Sequence, residues 1–289
     1  MSERAAVIDI GSNSVRYMLC EHASLAVHPL LKTLETTRLA LGQDAAGRLL
    51  PASMARTAEA VSKFVLRAES DGAPVYAYAT SSVREASNRA EFLAMLPKGL
   101  SVAVLSGEQE GEMAYLGATN GHGTLLDIGG GSFQVVTETE RFSAPIGCVR
   151  LFERIPFGSP KEIQTVLKPW ADALLERAFF APKPVVGVGG TITTLGALAL
   201  GRTDYCGAAL SGAVLTPAAV DALIEALDAL GEGRKAHPLL KQRHNVILHG
   251  AAILRYLMDR FSIEKLIPSD CDGMEGFLSA VLMGKISVK

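Results

Sequence analysis

Apolar and polar positions alternate with a period of two around a small-residue turn at two places in the chain. The first is VIDIGSNSVR at residues 7–16 and the second is LLDIGGGSFQ at residues 125–134. In each, an apolar run ends in Asp (Asp9, Asp127), followed by Ile-Gly, two small residues and Ser. Val15, Tyr17 and Leu19 alternate beyond the first turn, and Phe133 and Val135 beyond the second. Alternation on both sides of a tight turn predicts β-hairpins over residues 5–21 and 124–138.

The rest of the first half reads as a strand over 26–41 with Arg38 near a turn at Gly42, then an amphipathic helix over 49–68. That helix carries Met54, Ala58, Val61, Phe64 and Val65 at three- and four-residue spacing, with Pro51 near its start. A strand over 75–79 leads to a short helix capped by Ser81 or Ser82, with Arg84 in its first turn. A helix over 88–96, a strand over 102–105 and a helix bearing Glu108, Glu110 and Glu112 complete this half.

The glycine-rich NGHG at 120–123 marks a boundary, and the order restarts. The second hairpin is followed by a strand over 142–151 with a turn at Pro145 and Gly147, and a helix over 160–180. A buried strand over 184–188 then passes through Gly189, Gly190 and Thr191 into a helix over 192–200. Thr216 caps a helix over 217–230; a helix over 245–261, a strand over 263–269 and a helix over 273–282 follow. Two consecutive hairpin-plus-α/β halves imply related domains, 1–120 and 121–289, around a cleft, with the last helix able to pack back on the first domain.

Composition narrows the class. At 289 residues and 48% hydrophobic content the chain suits two packed cores. A net charge of −2 gives no global pull toward nucleic acid or a membrane. Cys20, Cys148, Cys206 and Cys271 lack ligand-like spacing and read as buried thiols of a reducing compartment. The six histidines are scattered without metal-ligand spacing. No signal-peptide apolar region opens the chain, and the long apolar stretch at 184–201 is broken by Gly-Gly and three threonines, so a cytoplasmic location is expected.

The turns carry the chemistry. Gly11 and Asn13, and Gly129, Gly130 and Gly131, can adopt positive φ and let backbone N–H groups converge into a concave anion site. A strand–Gly-Gly–helix junction at residues 189–190 aims further N–H groups at an anion. A carboxylate before each turn, Asp9 or Asp127, can hold a divalent cation directly or through water. The plainer alternative is two ordinary glycine turns with aspartates bonded to backbone. Arg16 leaves its strand opposite apolar neighbours, toward the cleft or as an ordinary surface arginine. Lys161, Lys168, Arg234, Lys235, Lys241 and Arg243 either guide a polyanion or form solvated faces.

IDIGSNSVR, ATSSVREASN, LSGEQEGEM, LDIGGGS, APIGCVRLFE, VGVGGT and HGAAIL, in this order, resemble the exopolyphosphatase/guanosine pentaphosphate phosphatase family of the actin-like ATPase superfamily. The resemblance runs nearly end to end and matches the short, two-domain members. It implies a ribonuclease-H-like fold in each half, an interdomain active site, Mg²⁺, hydrolysis of terminal phosphoanhydrides in polyphosphate or guanosine pentaphosphate, and a homodimer. Matched by position, Glu110 falls on the catalytic glutamate, Asp127 on the metal- or water-directing aspartate and Arg84 on an arginine near the substrate phosphates. Gly11, Ser12, Asn13, Ser14 and Arg16 match the first phosphate loop, Gly129, Gly130, Gly131 and Ser132 the second, and Gly189, Gly190 and Thr191 the third. Asp9, Asp127 and Glu110 form the expected Mg²⁺ set.

Three positions depart from the pattern: Gln134 for a frequent glutamate, Asn245 for an aspartate, and Met274 in place of the arginine of Arg-Glu-Gly. An amide cannot accept a proton as a base and is a weaker cation ligand. In the implied mechanism Glu110 holds or deprotonates water, and Arg84 stabilises charge on the transferred group. Glu110 as one of three solvated acids, and Arg84 as an exposed helix-start arginine, are the alternatives. So are two other functions: a guanosine tetra- or pentaphosphate sensor with little turnover, kept open by Gln134, and a small-molecule kinase sharing the duplicated hairpins.

Overall fold

The computed structural model describes residues 3–23, 26–43, 47–119, 121–175 and 183–287. The chain divides into two compact units, Met1–Gly117 with Gly273–Lys289, and Ala118–Asp272.

In the first unit, β1 (Glu3–Ile10) and β2 (Ser14–Ala23) form the expected hairpin, in a register that sets Asp9 opposite Arg16. β3 (Ala26–Thr36) continues antiparallel, whereas β4 (Val75–Ala79) and β5 (Val102–Val104) add parallel strands on the other side, giving the order β3-β2-β1-β4-β5. Helices α1 (Pro51–Ser70), α2 (Ser81–Arg84) and α3 (Arg89–Ala94) connect these strands, and α4 (Gly107–Thr119) follows β5 in the chain, toward the second unit. One sheet face buries Ile8, Ile10, Val15 and Tyr17 against Met54, Val61 and Phe64 of α1. Burial on both faces explains why the run from Ala5 to Ile10 is uninterrupted by an exposed position.

The second unit repeats the plan. β6 (Thr124–Ile128), β7 (Phe133–Val136) and β8 (Arg141–Ala144) are antiparallel neighbours, followed by α5 (Cys148–Arg154) and α6 (Pro160–Leu174). β9 (Val185–Val188) lies parallel to β6 and runs directly into α7 (Gly189–Ala199); α8 (Pro217–Leu230), α9 (Ile247–Arg260) and β10 (Ile267–Pro268) complete the order β10-β9-β6-β7-β8. Leu126, Ile128 and Phe133 pack with Ile192, Leu195, Ala251 and Leu254 in its core. The last helix, α10 (Gly273–Leu282), belongs to the first unit: Phe277 sits 4.5 Å from Tyr78, and a Cβ on Gly276 would lie 1.9 Å from the Met113 carbonyl oxygen. Glu275 adds a 2.6 Å ion pair to Lys32 of β3.

Several local expectations change. The apolar segment expected as strand over 142–151 is strand only to Ala144 and then becomes α5, because Gly147 docks on the second turn. The helix expected from 192 begins at Gly189, and the strand expected over 263–269 is two residues long. Thr80, not Ser81 or Ser82, precedes α2, and it makes no side-chain cap. Thr216 does cap α8, accepting from the Ala219 N–H. Cys20 and Cys148 are buried, but Cys206 is half-buried and Cys271 exposed. Asn120, in the expected boundary, and residues 176–180, in the expected helix, lie outside the described residues. Among the described residues no helix is long and apolar enough to cross a membrane.

Candidate functional site

In the first unit the candidate residues gather at the carboxyl ends of β1, β4 and β5, where ligands of open α/β sheets bind. Gly11 donates to the Ser14 carbonyl at 3.1 Å, closing the turn. The turn's own carbonyls are tied back by the chain leaving β3. Thr37 and Arg38 N–H both reach the Asn13 oxygen (3.1 and 2.8 Å), and Ala40 N–H reaches the Ser12 oxygen at 3.0 Å. Arg38 takes a left-handed φ of 51° to make this bend. The N–H groups of Ser12 and Asn13 have no acceptor among the described residues. Successive unmet N–H groups beside engaged carbonyls suit an anion, although neither Gly11 and Asn13 here nor Gly129, Gly130 and Gly131 of the second turn take the positive φ that their composition allows.

The Ser12 and Ser81 hydroxyls meet at 3.0 Å, fastening this turn to the start of α2. Arg84, at the end of that single helical turn, donates from Nη1 to the Leu105 carbonyl (2.8 Å) and to Glu110 Oε2 (3.4 Å). Ser106 and Gln109 exchange side-chain and backbone hydrogen bonds of 2.9 and 3.1 Å, a capping box that starts α4. That start turns Glu108 to solvent and Glu110 inward, so the three acids are not one solvated face. Asp9, 6% exposed at its side chain, takes both Nε (2.7 Å) and Nη2 (2.6 Å) of Arg16 on one oxygen.

The second unit builds its turn the same way. Gly129 donates to the Ser132 carbonyl at 2.9 Å. Its carbonyls are tied back by α5: Cys148 N–H reaches the Gly129 oxygen (3.0 Å), and Val149 and Arg150 reach the Gly130 oxygen (2.9 and 3.3 Å). A Cβ on Gly147 would lie 2.3 Å from Gly130, so only glycine allows this docking. Asp127 is half-buried and stands opposite Gln134 in the strand register. Gln134 is buried, and its Nε2 donates to Ser132 Oγ at 2.9 Å.

The third turn brings the start of α7 to the same edge of this sheet. Gly189 has φ +87°, and a Cβ on it would stand 2.6 Å from Asp127 Oδ1. The unpaired first-turn N–H groups of α7 thus begin beside Asp127. A Cβ on Gly190 would fall 2.0 Å from Arg243 Nη2, and one on Gly250 of α9 would fall 2.4 Å from Thr191 Oγ1. Arg243 therefore lies over the third turn, a placement its membership in a loose group of basic residues did not indicate. The signal was there only in part, as an arginine two residues before Asn245 in the segment leading to HGAAIL. Cys148, nearby, has its thiol pushed up by burial, against the opposing influence of the Arg243 charge and a Thr191 hydrogen bond, so it stays protonated. Among the described residues no group of three or more His, Cys, Asp or Glu side chains gathers to hold a metal.

Comparison with known proteins agrees with the doubled architecture. Residues 18–283 match the model of the Ppx/GppA phosphatase family. The chain is 32% identical over 313 aligned residues to exopolyphosphatase 2 of Mycobacterium tuberculosis, covering 94% of this chain and 97% of that protein. It superposes on the crystal structure of the Aquifex aeolicus member of the Ppx/GppA family with a TM-score of 0.78 at 28% identity, over 99% of this chain and 100% of that one. An exopolyphosphatase from Cytophaga hutchinsonii, 22% identical, shares the fold with a TM-score of 0.86 over 99% of both chains. The fold is the actin-like ATPase fold, with a five-stranded sheet in each unit.

Proposed function

This chain belongs to the Ppx/GppA phosphatase family, and on that premise we propose that it removes the terminal phosphate from inorganic polyphosphate or guanosine pentaphosphate, with Mg²⁺ bound. The observation that carries this reading is the repeated turn whose carbonyls are tied back while its N–H groups have no acceptor among the described residues. Such turns bind phosphate oxygens regardless of what the phosphate is attached to. The similarity to an exopolyphosphatase favours inorganic polyphosphate as a substrate.

Phosphoanhydride hydrolysis needs a positioned water and charge stabilisation, with little covalent work. Glu110 orients the water and accepts its proton; the Arg84 guanidinium, held by the Leu105 carbonyl, fixes the carboxylate and faces charge developing on the phosphoryl group. The turns at 11–14, 129–132 and 189–191 hold phosphate oxygens, and Arg243 adds a cation over the third. Oxygen donors suit Mg²⁺. Asp127, half-buried beside the start of α7, would hold it, and Asp9, paired with Arg16, and Glu110, paired with Arg84, would act alongside. Held there, Mg²⁺ would supply charge neutralisation at the phosphoryl oxygens.

The test is orthophosphate release from long-chain polyphosphate, guanosine pentaphosphate and ATP, each with and without Mg²⁺. Release from one of the first two, dependent on Mg²⁺ and much faster than from ATP, is expected. Tight calorimetric binding of guanosine pentaphosphate with no release over hours would instead favour an alarmone-binding protein, the reading that Gln134 supports.

A further inference from the structure

Each hairpin has a carboxamide that donates to the serine of its turn, Asn13 from within the first turn and Gln134 from β7 after the second. Asn13 Nδ2 reaches Ser14 Oγ at 3.2 Å, and Gln134 Nε2 reaches Ser132 Oγ at 2.9 Å. The two amides occupy different positions of the duplicated motif, one just before the serine and one two residues after it. Both are buried, 6% and 1% exposed, and in both the amide oxygen, Asn13 Oδ1 and Gln134 Oε1, has no hydrogen-bond partner among the described residues. A serine that accepts from an amide keeps its own proton to donate. Among the described residues neither serine finds an acceptor for it. Two different side chains therefore leave the same arrangement, one unmet donor and one unmet acceptor at each hairpin. Buried unmet polar groups are costly, and a pair repeated in both halves points to a ligand that meets them.

We propose that Gln134 is a positioning residue that aims the Ser132 proton at a bound phosphate oxygen, while its Oε1 accepts from a water or a protonated phosphate oxygen. The proposal deepens the phosphate-binding reading above and rests on it. A glutamate at this position would reverse the arrangement. Its carboxylate would accept a hydrogen bond from the Ser132 hydroxyl and place a negative charge beside the incoming anion. The amide therefore makes the second turn a neutral, donor-rich phosphate site in its own right, as Asn13 does for the first.

The experiment is calorimetric titration of the full chain with tripolyphosphate in excess chelator, for wild type, Ser132→Ala, Gln134→Glu and the double variant. Ser132→Ala weakens wild-type binding about tenfold, the loss of one hydrogen bond to a charged group. Gln134→Glu weakens it at least as much, and adding Ser132→Ala to it costs less than about twofold, because the proton is already turned away. The ratio of Gln134→Glu to wild-type affinity rises toward one as pH falls and the carboxyl protonates, a trend that a packing role would not produce. Gln134→Met, of similar length and uncharged, checks the result if the glutamate variant does not fold, and in that background Ser132→Ala costs several-fold less than in wild type. If Ser132→Ala costs the same factor in every background, or the affinity ratio ignores pH, the proposal is overturned although phosphate binding stands. If wild type fails to bind tripolyphosphate at all, the functional reading falls with it.

Discussion

The two hairpins share a backbone and differ in charge. In both, an Asp is the penultimate residue of the first strand, the first glycine of the turn donates to the serine carbonyl, and a later segment ties back the turn's oxygens. The cross-strand partner of the Asp is where they part. Asp9 faces Arg16, which grips it with two nitrogens, whereas Asp127 faces Gln134, which turns to Ser132 instead. The residue at one position of the second strand is thus a cation bonded to the Asp in the first hairpin and a neutral amide bonded to the turn serine in the second. In the proposed function the backbone offers a phosphate-binding turn twice, and the side chains divide the remaining work. The first unit carries the Arg84–Glu110 pair, and the second keeps Asp127 beside the start of α7.

The sharpest way to probe that division is Glu110→Ala, expected to lower phosphate release about a thousandfold, within the range of general-base contributions. Tripolyphosphate affinity measured by calorimetry should change only a few-fold, because the turns are untouched. Equal losses in both would place Glu110 in binding and erase the division.

The electrostatic contrast is tested by paired truncations read from urea unfolding. Arg16→Met leaves Asp9 buried beside an apolar chain and should cost about 2–3 kcal/mol, below the usual figure for breaking a buried pair because the Arg16 side chain is 27% exposed. Gln134→Met removes one neutral hydrogen bond and should cost about 1 kcal/mol. Equal costs would mean that the ion pair adds nothing to the first hairpin. Gly190→Ala, which pushes the Arg243 guanidinium off the third turn, should weaken tripolyphosphate binding about tenfold with an unfolding midpoint close to wild type. The clash falls on the mobile end of a side chain, unlike the backbone clash expected for Gly276→Ala.

The smallest effect lies away from the turns. His249 of α9 is buried, donates from Nε2 to the Ile155 carbonyl at 2.9 Å, and is held by burial below its ordinary value of 6.5. Above that value the ring is neutral in both folded and unfolded chains and has no effect. As pH falls below it, the unfolded chain takes up a proton that the folded chain resists, so stability declines by up to about 1.4 kcal/mol per pH unit until the folded value is reached. Unfolding midpoints of wild type and His249→Gln between pH 7.5 and 5 should therefore diverge only on the acid side.

Much of this was legible in the residues. The hairpins announced themselves because strand alternation and turn composition are local properties, and α1 and α8 because their apolar spacing and starts lie within one segment. What the residues concealed depends on distant partners. APIGCVRLF reads as strand because nothing local reveals that Gly147 meets Gly130 and that Cys148 N–H finds the Gly129 oxygen. Gly189 and Gly190 read as turn residues, yet they start α7, since a glycine helix start shows no propensity signal. Arg243 looked like one of many surface cations until the fold set it on Gly190. Gln134 was visible as a departure in sequence, but its bond to Ser132 was not.

Phosphorus NMR of polyphosphate incubated with the protein and Mg²⁺ addresses the central claim most directly, because it separates end groups, internal phosphates and free orthophosphate in one spectrum. Orthophosphate should accumulate from the first time points while internal signals shrink only as chains shorten, and the Glu110→Ala spectrum should stay unchanged. Cleavage within chains, or a wild-type spectrum that never changes despite bound polyphosphate, would contradict the account.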